Sequence, residues 1–105
     1  MPPWHEQFAI AYAGKVREIE EWITHHPGVA IDTFEKTTGL TLLHIAIGRN
    51  NLELTRFLLA NGATIMPDQR GRWPSLIAAA CGVSDELYDL VADAELAAEE
   101  KTQDV

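Results

Sequence analysis

The histidines and the single cysteine are the side chains of this chain best suited to metal binding or nucleophilic chemistry. They are His5, His25, His26, His44 and Cys81. A structural zinc site takes four ligands, commonly with cysteines at short spacings, whereas the adjacent His25 and His26 point in different directions at a helix end. A metal-binding or enzymatic protein that uses His5, His25, His26 and Cys81 is therefore a disfavoured alternative, and we expect no cofactor.

Sequence motifs for catalysis are missing as well. The chain contains no Gly-x-Ser-x-Gly elbow, no Gly-x-Gly-x-x-Gly turn and no Walker loop. Cys81 has no basic neighbour in sequence that would activate its thiol. It lies among alanines and a glycine, and we interpret it as a small residue packed between helices. The sequence therefore predicts a protein without a catalytic site.

Acidic residues are concentrated at the C-terminal end of the chain. The net charge is −8, and residues 84–105 contain eight acidic residues and one lysine, whereas residues 1–83 are nearly balanced. An acidic surface repels nucleic acid and anionic lipid and speeds encounter with a basic protein. We therefore expect a protein partner of basic character and no binding to nucleic acid or membrane. A solvated helix kept acidic for solubility is the alternative.

Length and composition are typical of one folded domain. The chain has 105 residues, of which 47% are apolar, a composition found in globular proteins. No apolar run approaches the roughly 20 residues of a membrane span, and the first residues lack the basic and apolar regions of a secretory signal. A single cysteine forms no internal disulfide. We expect a cytoplasmic protein that is monomeric when free.

Helical periodicity and an internal repeat organise the chain. Apolar residues recur at helical spacing over residues 42–60, but the letters GRNN interrupt them at residues 48–51. Glycine and asparagine favour turns, so this segment predicts two short antiparallel helices. Alignment of Gly39 with Gly71 brings a second such unit into register, and an apolar stripe after Gly14 indicates a third. Three helix-turn-helix units of about 33 residues cover most of the chain.

The middle unit carries the most specific motif. Residues 38–46 read TGLTLLHIA, residues 51–54 read NLEL and residues 58–63 read LLANGA. In this order they resemble the ankyrin repeat, with its T-P-L-H-x-A opening, its L-E stretch and its G-A close. The resemblance is highly specific over residues 36–68, good over 69–92 and weaker over 4–35. Leu42 replaces the family's proline, and Trp73 replaces its threonine.

The resemblance implies an all-α fold, an ankyrin-repeat solenoid of about three helix-turn-helix units with short projecting turns. Residues 1–105 would form one domain with repeats at about 4–35, 36–68 and 69–92, followed by an acidic helix or tail at 93–105. His44 would bond turn backbone and hold neighbouring repeats in register. The implied function is a non-catalytic interaction module that binds a partner protein through its turns and concave groove, with inhibition as one mode of action.

Two loops between the predicted repeats, here called fingers, carry candidate contact residues. The first finger, residues 36–40, ends at Leu40, which we expect to be an exposed apolar tip. In the second finger, residues 69–74, Pro74 suits the first helical position, so Trp73 falls at an N-cap that favours Ser, Thr, Asp or Asn. Trp and Arg are frequent interface hot spots. The predicted partner-binding residues are Tyr12, Leu40, Arg49, Gln69, Arg70, Arg72 and Trp73.

Two alternatives remain open at this point. The Trp73 side chain either contacts a partner or folds back over the adjacent loop, onto Leu40 or Ile65. A small acidic chain of this kind also fits an antitoxin or immunity protein that neutralises a basic, nuclease-like toxin, because opposite charge speeds and orients such an encounter.

Overall fold

The computed structural model describes the backbone of residues 6–103 and the side chains of residues 6–99. Over the described range the chain forms α-helices and no strand, so the predicted all-α fold is confirmed. The helices are α1 (Glu6–Tyr12), α2 (Val16–His25), α3 (Leu42–Gly48), α4 (Leu52–Ala60), α5 (Pro74–Cys81) and α6 (Asp85–Gln103). No helix among these is long and apolar enough to cross a membrane.

Consecutive helices pair into three hairpins that lie side by side. Helix α1 packs on α2, α3 on α4, and α5 on α6. The first helices form one layer, in which α3 lies between α1 and α5, and α2 packs against α4 in the second layer. The apolar faces meet in one core, whose fully buried members include Ile19, Leu43, Ile47, Leu54, Leu58, Leu87 and Val91. Each hairpin therefore completes its core only with its neighbour.

The turns inside the hairpins form a row of hydrogen bonds between units. Asn50 and Gly82 both adopt a left-handed conformation, with φ of 56° and 64°, and asparagine is among the few non-glycine residues that tolerate it. The Asn51 side chain donates to the Gly14 carbonyl at 3.5 Å. The Ser84 backbone N–H donates to Asn50 Oδ1 at 3.0 Å. The middle turn is thereby bonded to the turns on both sides.

Side-chain caps fix where several helices begin. Thr41 and His44 form a capping box at the start of α3, and Asn51 accepts from the Leu54 N–H at the start of α4. Ser84 caps the start of α6, because its Oγ accepts from the Leu87 N–H. Trp73 occupies the N-cap of α5, as the sequence predicts, and makes no side-chain cap bond. Pro74 follows it at the first helical position, which proline favours.

The last helix is much longer than its counterparts α2 and α4. It runs without a break from Asp85 to Gln103, so the segment after residue 92 continues the helix as far as it is described. Glu95 in this extension accepts a hydrogen bond from the Ser75 N–H at 3.4 Å. The carboxylate therefore takes up a free donor at the start of α5, where a negative charge is favourable.

Candidate functional site

His44 holds the start of α3 to the chain that leads into the second finger. Its Nδ1 accepts from the Thr41 N–H at 3.1 Å, so the ring hydrogen is assigned to Nε2, which donates to the Met66 carbonyl at 2.9 Å. Burial lowers the pKa of His44, although the Met66 bond and the nearby Asp68 charge act in the opposite direction. The implied bond from the His44 ring to turn backbone is present, and it joins two parts of the segment 36–68, because Met66 lies in the same predicted repeat as His44.

Asp68 immediately precedes the second finger and organises it. The residue is 4% exposed, and its Oδ1 accepts from the backbone N–H groups of Arg70 and Arg72, each at 2.9 Å. Its Oδ2 accepts from Arg72 Nε at 2.7 Å. The turn closes with a backbone bond from the Asp68 N–H to the Arg72 carbonyl, and Gly71 supplies the required φ of +80°.

The charge of Asp68 is stabilised inside this loop. Burial by itself raises the pKa of Asp68, but the hydrogen bonds from Arg72 and Arg70 and the Arg72 charge outweigh it, so the pKa is lowered. A buried carboxylate with several N–H donors stays ionised at neutral pH. The second finger is therefore a fixed turn and not a flexible loop.

Glu35 immediately precedes the first finger in the corresponding position. Its N–H donates to the Leu40 carbonyl and its carbonyl accepts from Gly39, both at 2.8 Å. Its Oε1 accepts from the hydroxyls of Thr38 at 2.6 Å and Tyr12 at 3.2 Å. Burial and the Glu35 charge raise the pKa of Tyr12, and Thr38 partly opposes them. Tyr12 of α1 is thereby tied to the first finger.

The two fingers are joined to each other directly. The Gln69 N–H donates to the Gly39 carbonyl at 3.0 Å, and the Gln69 side chain packs so closely that a Cβ on Gly39 would lie 2.8 Å from it. Earlier in the chain, Asp32 accepts from the N–H and hydroxyl of Thr64. These bonds align the fingers side by side.

Several of the predicted contact residues meet on this connected surface. Trp73 is 42% exposed and Tyr12 37% exposed, and Gln69 and Arg70 are also exposed. Arg72 has a structural role that the sequence did not predict, because its guanidinium is paired with Asp68. We call the group Tyr12, Gln69, Arg70 and Trp73 the finger surface.

Two predicted contact residues lie elsewhere. The expectation that Leu40 is an exposed apolar tip is wrong: its carbonyl bonds back to Glu35, and its side chain packs half-buried against the core. Arg49 is exposed at the C-cap of α3. Arg49 lies about 12 Å from Thr41 along α3. It is therefore distant from the hydrogen bonds that join the two fingers.

The other candidate ligands form no cluster. The rings of His25 and His26 each bond a carbonyl one turn back in α2, and His26 stacks on Trp22. Cys81 lies near Gly48 of α3 but is exposed, so the prediction of a packed residue is wrong. His5 lies outside the described residues. Among the described residues, no three His, Cys, Asp or Glu side chains are grouped for a metal ion.

The sequence reasoning missed Asp68, Glu35 and Asp32, which carry most of the bonds between and within the loops. A signal was present for Asp32 and for Asp68. Asp32 and Thr64 are 32 residues apart, which is the repeat period, and an aspartate three residues before a glycine is typical of a turn closed by its own side chain. Position within the repeat therefore predicts such residues better than residue type does.

One family model matches the chain, the Ankyrin repeat, over residues 38–72. This segment contains α3, α4, the Asn50 turn and the second finger up to Arg72. Residues 38–72 are therefore similar to an ankyrin repeat. The curated proteins contain no match to the chain. Ankyrin repeats are generally protein–protein interaction modules and are typically non-enzymatic.

Proposed function

We propose that this protein is a non-catalytic ankyrin-repeat module that binds a partner protein through the finger surface and the adjoining first-helix layer. In this proposal the repeats span about residues 4–35, 36–68 and 69–92, and the free protein is a cytoplasmic monomer. The observation that carries the proposal is the exposure of Trp73 beside Arg70 on a turn fixed by Asp68.

The geometry of this turn favours tight binding. An aromatic side chain on a preformed loop loses little conformational freedom when a partner covers it, so less of the interaction energy is spent on ordering. Trp, Tyr and Arg are also the side chains that most often dominate interfaces. Trp73 would serve as the central anchor, with Tyr12, Gln69 and Arg70 around it.

The test uses the protein as bait in extracts of its own cells, followed by quantitative mass spectrometry. Trp73→Ala and Arg70→Ala should lose a partner that the wild type retains in stoichiometric amount. Arg17→Ala on the exposed face of α2 removes the same charge as Arg70→Ala and should retain it. Circular dichroism verifies that each variant is folded. Equal retention by all four baits would contradict the proposal.

Inhibition of a basic enzyme, as by an antitoxin or immunity protein, is a second candidate. The observation in its favour is the acidic helix α6, which would attract a basic target. Co-expression with a toxic protein encoded nearby should restore growth, and Trp73→Ala should abolish the rescue. A chain that rescues no such toxin would not be an antitoxin, although it would still be a binding module.

A further inference from the structure

Exposed apolar side chains accumulate on the last hairpin. Among the described residues, five large apolar side chains are exposed, and two of them, Tyr12 and Trp73, belong to the finger surface. The other three are Leu76 on α5, which is 55% exposed, and Tyr88 and Leu96 on α6, which are 40% and 57% exposed. A group of such residues at one end of a molecule is typical of an interaction surface.

The exposure of Leu76 follows from the position of α5 in the stack. Helix α3 lies between α1 and α5 and buries every residue from 42 to 47. Helix α5 packs mainly on α3 and α6 and buries Pro74, Ile77 and Ala78. Leu76 lies on its remaining side, which no described helix covers.

Tyr88 and Leu96 lie along one side of α6. They are eight residues apart with Ala92 between them, so the three residues form a strip with a spacing of about four residues. Leu87 and Val91 face the core instead. The bond from Ser75 to Glu95 places the start of α5 level with this part of α6. Leu76 and Leu96 are therefore at the same height in the hairpin.

Negative charge surrounds this apolar strip. Between residues 85 and 99, α6 contains six acidic residues and no lysine or arginine. Two of the six have partners: Glu86 pairs with Arg56 at 2.9 Å, and Glu95 accepts from Ser75. Asp85, Asp89 and Glu99 are exposed beside the strip. A ligand for this face must therefore combine apolar side chains with positive charge.

We infer that the face formed by Leu76, Tyr88 and Leu96, here called the end face, binds an amphipathic helix of a partner protein whose apolar stripe is flanked by lysines or arginines. Burial of the three side chains supplies affinity, and the acidic residues orient and accelerate the encounter. A second copy presenting the same face is disfavoured, because two acidic helices would lie together.

The experiment titrates the isotope-labelled full chain with a helical peptide of about 18 residues, with leucines on one face and lysines on the other, followed by NMR. Backbone signals of α5 and α6 should shift, and those of the fingers should not. Two control peptides should bind at least about tenfold more weakly. A scrambled peptide of the same composition lacks the apolar face, and an amphipathic peptide with glutamate in place of lysine lacks the positive charge.

Variants locate the binding on the chain. Tyr88→Ala with Leu96→Ala should weaken binding of the lysine peptide about tenfold, and Asp85→Asn with Asp89→Asn should reduce its dependence on salt. Tyr12→Ala and Trp73→Ala should bind as the wild type does, which separates this inference from the proposed finger surface. All substituted residues are exposed, and circular dichroism verifies folding.

Three results would overturn the inference. The first is equal binding of the lysine peptide and its scrambled form, which would reveal charge attraction alone. The second is a set of shifts on the fingers or on α2. The third is concentration-dependent dimerisation that Leu96→Ala abolishes, which would make a second copy of this chain the occupant of the end face.

Discussion

Two buried polar residues, His44 and Asp68, determine how the loops are held. His44 bonds Thr41 through Nδ1 and Met66 through Nε2. Asp68 bonds the Arg70 N–H through Oδ1 and the Arg72 side chain through Oδ2. A buried polar group left without its partner is costly. These residues therefore specify one loop conformation and not merely a stable core.

The lowered pKa of His44 predicts a loss of stability in mild acid. Unfolding returns the imidazole to its ordinary pKa of 6.5, so the unfolded chain binds the proton more readily. The contribution of His44 to the free energy of unfolding is therefore complete above pH 6.5. It is lost as the pH falls through the lower pKa of the folded state. Protonation also puts a hydrogen on Nδ1, where Thr41 already donates.

The measurement is urea unfolding at about pH 7.5 and about pH 5, a window that lies above the titration of most carboxylates. The wild type should lose free energy of unfolding between the two values. His44→Gln should be less stable at both and lose less between them, whereas His25→Gln should keep the wild-type dependence. The same loss in wild type and His44→Gln would show that another group is responsible.

The sequence predicted the role of His44 but not the role of Asp68. The position of His44 in the TLLHIA motif implied its role. Asp68, by contrast, adjoins Gln69 and Arg70 in sequence, where an acidic residue is ordinarily solvated; only the folded turn brings three donors around it. Leu40 was misjudged for the same reason, since the direction of its side chain depends on the bond from Glu35 to its carbonyl.

Among the elements, the turns between paired helices help to align the units. The bonds from Asn51 to Gly14 and from Ser84 to Asn50 join three consecutive turns. The sequence predicted a turn at residues 48–51 from residue type alone. It could not predict the bonds across units, because they join residues that are 34 and 37 positions apart.

Asn50 has two roles that substitution separates. It tolerates a φ of 56°, and it accepts the hydrogen bond from Ser84. Asn50→Gly keeps the conformation and loses the acceptor, whereas Asn50→Ala loses both. We expect Asn50→Ala to lower the free energy of unfolding by about 1–2 kcal/mol more than Asn50→Gly does, because alanine is strained in the left-handed region.

Chemical denaturation of the two variants and the wild type measures this difference. Asn61→Ala provides a control, since Asn61 is an exposed helix C-cap with a right-handed backbone. If Asn50→Gly is as destabilised as Asn50→Ala, the hydrogen bond to Ser84 and not the backbone conformation accounts for the effect.

The length of α6 was undecided by sequence, and the structure gives a physical reason for it. Alanines and glutamates after residue 92 favour a helix but offer few large apolar residues to bury. Half-buried Ala94 and the hydrogen bond from the Ser75 N–H to Glu95 hold the helix against the start of α5. Local propensity and one capping bond across the hairpin therefore act together.

For the molecule as a whole, stability is shared between hairpins. The shared core contains Ile19 from the first hairpin, Leu54 from the second and Leu87 from the third. Three units are near the minimum for a stable repeat stack. Such a short stack leaves no hairpin with enough neighbours to persist alone, so unfolding should be one cooperative transition.

Leu58→Ala tests this cooperativity from the middle hairpin. Leu58 is fully buried in α4, and removing its side chain should cost about 2–5 kcal/mol through the cavity left behind. Trp22, buried in α2, reports on the first hairpin when Trp4 and Trp73 are replaced by phenylalanine. Its fluorescence and the helical circular dichroism signal should move together to lower denaturant concentration. If the Trp22 transition stayed in place while the dichroism transition shifted, the first hairpin would be stable without its neighbour.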